Sequence, residues 1–409
     1  MSLWRNRSYR FLFSATAVSN LGDGVSALAF PWLATLITRD PVLIALVAFA
    51  TRLPWFLLSI PAGAIVDRSD RQGLIVRSDW VRMGLTIAVI GLILWMPGFP
   101  PPSGELFYIG VLSSLAFLLG TAEVLRDNAA QTLLPSVVEA DDLERANGQL
   151  WSAEHVMGQF VGPPLAGVLI AWAVPAPFLL DALTFAVAAL AVAMMQPKPR
   201  RRSPRRPLRD DIGEAWGWMR THPMVLRVAV VLGVMNGAAM LALTMLVLIS
   251  QERLGLGAFG HGILLTAGAA GGVAGGLLGP VIIARLGCVR ALRLALLLFP
   301  AAFLAIGLSR DPAIVGAALF LEAFAALLWN IVTVSWRQRI VPDALLGRVN
   351  SIYRFFGWGL TPLGAVAGGV LVAATERTLG RDVALQLPYL TGAVILTGVL
   401  MYSWRRLSI

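Results

Sequence analysis

Long apolar runs separated by short polar stretches repeat along this chain from one end to the other. Runs of 18 or more mostly apolar residues fall near 10–36, 42–66, 74–96, 106–127, 146–173 and 177–195. They resume near 223–250, 259–284, 290–309, 312–336, 346–373 and 386–404. Each is long enough to cross a bilayer as a helix, which predicts twelve spans, numbered here 1 to 12. Pro54, Pro163, Pro164 and Pro362 lie inside predicted spans and should kink them, because proline removes a backbone donor and clashes with the preceding turn. The first run is about 27 residues long, lacks a small-residue cleavage site and leads straight into further spans. It therefore reads as a span rather than a removable leader.

The longest polar stretch, QPKPRRRSPRRPLRDDIGEAWGWMRTHP, lies midway along the chain. Its Pro/Arg-rich beginning cannot bury a core and predicts a linker. Residues 208–220 fit a short amphipathic helix with Trp216 and Trp218 at the membrane interface, or simply a tether with a few anchors. The expected division is an N-terminal six-helix bundle at 1–195, a basic linker at 196–222 and a C-terminal six-helix bundle at 223–409. Across the linker the chain echoes itself. Pro135, Arg145 and Asn147 in the first half answer Pro342, Arg348 and Asn350 in the second, and GPPLAG (162–167) answers TPLGAVAGG (361–369). Two parallel six-helix repeats produce such weak symmetry in transporters.

Composition agrees with membrane immersion: 57% of residues are hydrophobic and only 14% charged. The net charge of +10 changes meaning once the charges are placed. Of the 33 Lys and Arg, 27 fall at the termini, in even-numbered loops or at adjoining helix ends. Arg39, Arg253, Arg310, Arg377 and Arg381 lie in odd-numbered loops, and Arg52 lies within span 2. The positive-inside rule then puts both termini and the even loops in the cytoplasm. The basic balance is a topology signal, with no base-reading motif to suggest nucleic acid. A single cysteine, Cys288, excludes an internal disulfide framework and a multi-cysteine metal site. No HExxH, GxSxG or Walker loop occurs, so neither an enzyme nor a resident cofactor or metal is expected.

Several stretches carry a family resemblance. GQFVGPPLAG (158–167), with Gly158, Gly162, Pro163, Pro164 and Gly167, comes within one residue of the pattern G-x-x-x-G-P-x-x-G-G; Ala166 is the departure. GAIVDRSDRQ (63–72), with Gly63, Asp67, Arg68 and Arg71, is similar to the signature G-x-x-x-D-R-x-G-R-R/K, with Asp70 and Gln72 departing from it. LWRNRSYRFLF followed by NLGDGVSALAFPWL opens the chain, and AEVLRDNAAQTLLPSVV and LLGRVNSIYRFFG come later. Together these resemble the major facilitator superfamily along essentially the whole length. They look like its drug:proton antiporter branch, in the group of macrolide-efflux, enterobactin-exporter and Tap-type multidrug-efflux proteins. The resemblance implies that the 63–72 loop latches the halves at the start of span 11, and that the 158–167 run marks export. Physically, that run would supply a kink and close contact with span 8, whose glycines recur every four residues at 268, 272 and 276 and at 271, 275 and 279.

An ionisable side chain near the bilayer centre costs about 2.5–3.5 kcal/mol and needs a reason to be there. Asp23 in span 1 and Glu322 in span 10 are the clearest cases, and in this fold spans 1, 4, 7 and 10 line the cavity. Both are candidate proton-coupling residues, with hydrogen-bonded packing as the alternative. Arg52 is a candidate counter-ion for Asp23. Glu123, Arg126 and Asp127 have the spacing for a local salt-bridged gate at the end of span 4. Trp32, Asn236, Trp329 and Asn330 join Asp23 and Glu322 as candidate cavity residues, although tryptophans at helix ends serve equally as interfacial anchors.

The expectation is an all-α integral membrane protein of the major facilitator fold, with twelve transmembrane helices in two pseudo-symmetric bundles and both termini cytoplasmic. It sits in a bacterial inner membrane and works as a monomer, with a small-molecule substrate, protons and the lipid bilayer as partners. Its expected function is proton-coupled efflux of amphipathic or hydrophobic small molecules such as drugs. A dedicated exporter of one metabolite, such as a siderophore or self-made antibiotic, is the nearest alternative. A non-transporting sensor or scaffold on the same fold is the more distant one.

Overall fold

The structure is a computed structural model and describes residues 3–139, 142–196 and 208–406. Within them every regular element is helical. In chain order the α-helices are α1 (Arg7–Ile37), α2 (Pro41–Arg68), α3 (Arg71–Trp95), α4 (Glu105–Leu133), α5 (Leu143–Glu154), α6 (Gly162–Trp172), α7 (Ala176–Ala193) and α8 (Leu208–Thr221). They continue with α9 (Pro223–Leu243), α10 (Leu246–Leu248), α11 (Ala258–Leu286), α12 (Cys288–Leu308), α13 (Pro312–Ile340), α14 (Asp343–Gly359), α15 (Thr361–Leu379) and α16 (Arg381–Arg406). Two wide π-helical turns join them, His155–Val161 between α5 and α6 and Ile249–Arg253 after α10.

Among the described residues, ten helices are long and apolar enough to cross a membrane. Span 1 and span 5 are not among the ten. The first, α1, carries Arg7, Arg10 and Asp23, while span 5 is divided into pieces of 12, 7 and 11 residues. The divisions fall where proline demands them. Pro163 and Pro164 open α6, and Pro362 opens α15, in the first turn where a missing N–H leaves no bond unmade. By contrast, α2 continues through Pro54 and Pro61.

The chain forms two compact units. Unit 1 takes Met1–Arg39, Ala50–Pro204 and Gly257–Ile263; unit 2 takes Asp40–Phe49, Arg205–Leu256 and Leu264–Ile409. In unit 1, Tyr9, Leu12, Ile75, Leu133 and Val192 form a buried cluster at one end of α1, α3, α4 and α7. Polar side chains finish the helix ends there. Asp70 caps α3 by accepting from the Gly73 N–H at 3.0 Å, while Gln72 donates to the carbonyls of Val192 and Met195 at 2.8 and 2.9 Å. Both residues depart from the family pattern, and both do helix-terminal work that leaves fewer backbone groups unpaired.

In unit 2, α8 packs rather than trailing as a tether. Ala215 and Met219 are buried with Val225, Val341, Val349 and Ile352, Trp216 stacks near Phe356, and Glu214 pairs with Arg348 at 2.6 Å. Burying a side chain such as Met219 contributes about 1.5–3 kcal/mol, enough to hold a 14-residue helix that would not persist alone. At another edge of unit 2, Arg253 and Arg310 share Asp382 at 3.1 and 2.8 Å, and Arg381 joins Glu252 and Glu376. The odd-loop arginines Arg253, Arg310 and Arg381 are therefore matched by carboxylates.

Candidate functional site

Unit 1 gathers ionisable side chains from α1, α3 and α4 into a chain of alternating sign. Asp23 pairs with Arg82; Arg82 lies 3.8 Å from Asp79; Asp79 lies 3.5 Å from Arg126; and Arg126 lies 3.2 Å from Asp127. The middle is sealed and the ends are not. Asp79 is 0% and Arg82 3% exposed, whereas the terminal carboxylates Asp23 and Asp127 are 30% and 33% exposed. Arg82 also lies 4.0 Å over the Phe185 ring and reaches Ser19 Oγ at 3.4 Å. A guanidinium suits this position because its planar, delocalised charge bridges two carboxylates while stacking on a ring. Neither oxygen of Asp79 accepts a hydrogen bond, so charge attraction alone compensates its burial. Nearby, Asp181 on α7 accepts a 2.6 Å bond from Ser26 Oγ on α1.

This arrangement corrects two sequence expectations. Asp23 takes Arg82 as its counter-ion, not Arg52, whose side chain on α2 is exposed. Arg126 turns across to Asp79 and to its neighbour Asp127 rather than back to Glu123, so span 4 does not form a self-contained gate. Asp79 and Arg82 were hidden because they sit near the basic start of span 3, where charge reads as topology. Their i, i+3 spacing inside an apolar helix was the available signal.

The 158–167 run positions α1. Gly158 lies in the π turn and Gly162 starts α6, and both meet α1 at Gly24: a Cβ on Gly162 would lie 2.6 Å from the Gly24 backbone, and a Cβ on Gly24 would run into the Gly158 carbonyl. The two backbones touch, which only glycine permits. Also within unit 1, Gly167 faces the backbone of Ala258 and Phe259, and Pro163 lies against Gly262. Within unit 1, the expected contact with span 8 thus occurs at the start of α11. The glycine row at 271 and 275 instead packs on Phe320 and Phe324 of α13 in unit 2.

Unit 2 has a similar glycine approach at Gly237 of α9 and Gly364 of α15: a Cβ on Gly364 would run into the Gly237 carbonyl, and one on Gly237 would lie 3.0 Å from Leu360, just before α15. Beside this crossing, Asn236 Nδ2 donates to the Gly357 carbonyl at 2.8 Å, so that amide ties α9 to α14. Glu322 stands ten residues into α13, about 15 Å along its axis. It is half-buried and has no hydrogen-bond or ion-pair partner among the described residues. Seven residues on, and so on the same helix face, Trp329 is 1% exposed with its indole N–H unpartnered; Asn330 is exposed. In unit 1, Trp32 is buried with its ring 6.1 Å from His261. Of the latch residues, Arg71 donates to the Thr132 carbonyl at 2.8 Å, while the side chains of Gly63, Asp67 and Arg68 lie outside the described residues.

Comparison with known proteins follows the same lines. A family model described as transmembrane secretion effector matches residues 1–407. The multidrug efflux pump Tap of Mycobacterium tuberculosis is 30% identical over 195 residues, 47% of this chain and 45% of the pump. The staphyloferrin A transporter of Staphylococcus aureus is 24% identical over 44% of each chain. The matched stretch is thus less than half the length of these curated relatives. A bacterial homologue of the iron transporter ferroportin superposes with a TM-score of 0.75 over 99% of this chain and 100% of its own, at 16% identity. A bacterial homologue of the lysosomal transporter Spinster superposes with a TM-score of 0.68 over 98% and 95%, at 14% identity. With the model match running nearly end to end, the chain belongs to the transmembrane secretion effector family of the major facilitator superfamily, a family of multi-pass membrane transporters.

Proposed function

We propose that this chain is a proton-coupled exporter of amphipathic or hydrophobic small molecules, working by alternating access with twelve spanning helices and both termini in the cytoplasm. The observation that carries the reading is Glu322, a half-buried carboxyl deep in α13 with no partner among the described residues. A membrane helix that bears the cost of such a group has a use for it, and a carboxyl that gains and loses a proton is the simplest one. In the proposed cycle, substrate binds from the cytoplasm while Glu322 is ionised, and protonation from outside releases it. Asp23 is the second proton-responsive group. Its protonation frees Arg82 to turn wholly to Asp79, which changes how α1 is held to α3.

One proton moving through about 150 mV of total driving force supplies roughly 3.5 kcal/mol. That sustains a substrate gradient of about a few hundredfold. The similarity to a multidrug efflux pump favours a broad substrate range. The similarity to a siderophore transporter keeps a dedicated metabolite exporter as the second reading.

The test is reconstitution into proteoliposomes carrying an internal pH dye, challenged with macrolides, tetracyclines, dyes and siderophores under an imposed proton gradient. Proton movement with several unrelated compounds is the expected result. Coupling to one compound alone establishes the dedicated exporter. Folded protein that moves no proton with any of them overturns the proposal.

A further inference from the structure

On unit 2, α9 and α16 part along one edge to leave a groove of about 590 Å³. Its α9 wall is a single helical stripe running from Pro223 to Val234, and its α16 wall includes Ile395 and Gly398. A Cβ on Gly398 would meet nothing within 4 Å, so this glycine widens the groove instead of serving a helix contact. Eleven residues of α-helix rise about 16 Å, close to the roughly 15 Å depth of one leaflet's hydrocarbon. The walls are apolar throughout except at one end, where Arg227 and Tyr402 come in from the two helices.

Arg227 is unlike the other half-buried or buried arginines. Arg82, Arg126 and Arg253 each hold a carboxylate, and Arg337 holds Asn350 and the Tyr353 ring. Arg227 has no hydrogen-bond or ion-pair partner among the described residues, yet its stem lines an apolar wall. Arg220 and Arg406, both exposed, lie just beyond the same ends of these two antiparallel helices. The end of the groove is therefore positively charged with no carboxylate paired to Arg227 among the described residues, and its body is one leaflet deep.

The geometry points to a site for one anionic phospholipid, its phosphate on Arg227 and the Tyr402 hydroxyl and an acyl chain along the α9 stripe past Gly398. A zwitterionic lipid fills the same groove but brings its own cation to the basic end, so the site discriminates by headgroup charge. By the distribution of basic residues this is the cytoplasmic leaflet, where anionic headgroups attract basic helix ends.

Native mass spectrometry of the full-length chain, titrated with phosphatidylglycerol and phosphatidylcholine, tests the site. The wild type should hold one phosphatidylglycerol in preference to phosphatidylcholine. Arg227→Gln should lower phosphatidylglycerol affinity about fivefold and leave phosphatidylcholine unchanged. Arg227→Lys should keep most of the preference, and Gly398→Phe, which fills the groove without touching charge, should weaken both lipids. Equal binding of the two lipids by wild type overturns the proposal, as does an Arg227→Gln protein that retains the preference. A well-folded Gly398→Phe protein with undiminished lipid binding overturns it too. Displacement of the lipid by an uncharged drug, or a wild-type dimer that Gly398→Phe abolishes, reassigns the groove to substrate or to a second copy of the chain.

Discussion

In unit 1, Asp23, Arg82, Asp79, Arg126 and Asp127 share their charges across three helices; in unit 2, Glu322 stands on α13 with no partner among the described residues. The glycine crossings of the two units are similar, Gly24 with Gly162 in one and Gly237 with Gly364 in the other. The two units thus share a glycine-mediated helix approach and differ in their electrostatics. A network in which every inner charge has two neighbours resists change, because removing one member exposes the next. Glu322 has no ion-pair neighbour among the described residues to be exposed in this way. On the proposed function, proton exchange centres on one carboxyl in unit 2, while in unit 1 it falls at the open end of the network, on Asp23.

The sharpest way to break this comparison is Glu322→Gln. It should abolish uphill export in proteoliposomes, a loss of about two orders of magnitude in steady-state gradient, and weaken substrate binding, because glutamine mimics the protonated form that releases substrate. A mutant that still concentrates substrate removes the distinction between the units. Next comes Arg82→Ala, which removes one of the two cations beside buried Asp79 and the partner of Asp23. Breaking such a pair from one side should cost about 3–5 kcal/mol, visible as a large drop in thermal stability or in folded yield. Asp79→Leu combined with Arg82→Met should recover much of that loss, and a double mutant no better than the single would show that the two charges are not coupled.

Smaller effects probe the shared framework. Gly162→Ala and Gly364→Ala should each force two backbones apart and cost about 1–3 kcal/mol, by similar amounts in the two units. A clear inequality in thermal melting would mean that the two crossings are not equivalent. Smallest should be Asp382→Asn, since its carboxylate is 43% exposed and its ion pairs are screened; under about 1 kcal/mol is expected, shrinking further in high salt.

Much of the fold was legible because apolar length and proline position are local signals. The breaks before Pro163 and Pro362 and the pairing of GPPLAG with TPLGAVAGG appear in the sequence and again in the helices. The partner of Asp23 was not legible. Arg52 and Arg82 are both arginines in apolar helices, and only the rotation of α2 and α3 about their axes decides which one faces α1. Nor did the glycine rows of α11 announce their partner, since small residues license close approach without naming the neighbour. The docking of α8 was legible only in part: the amphipathic pattern over 208–220 showed, but Trp216 and Trp218 pointed to the membrane interface, and a buried face made of Ala215 and Met219 did not name its partner.

The π turn at His155–Val161 has a consequence for how this helix can change over evolutionary time. A wide turn of this kind is what a one-residue insertion leaves in an α-helix. Deleting any one residue of the segment should restore regular winding, and each residue of a regular helix carries its side chain through about 100°. The wide turn winds its extra residue within the same rotation, so α6 would keep its phase and Gly162 would stay against Gly24; what would change is the wide turn itself, including the Gly158 carbonyl that packs on α1. Length here can therefore change by one residue without re-aiming α6, and natural variants that lose one residue of this segment should keep both Gly24 and Gly162.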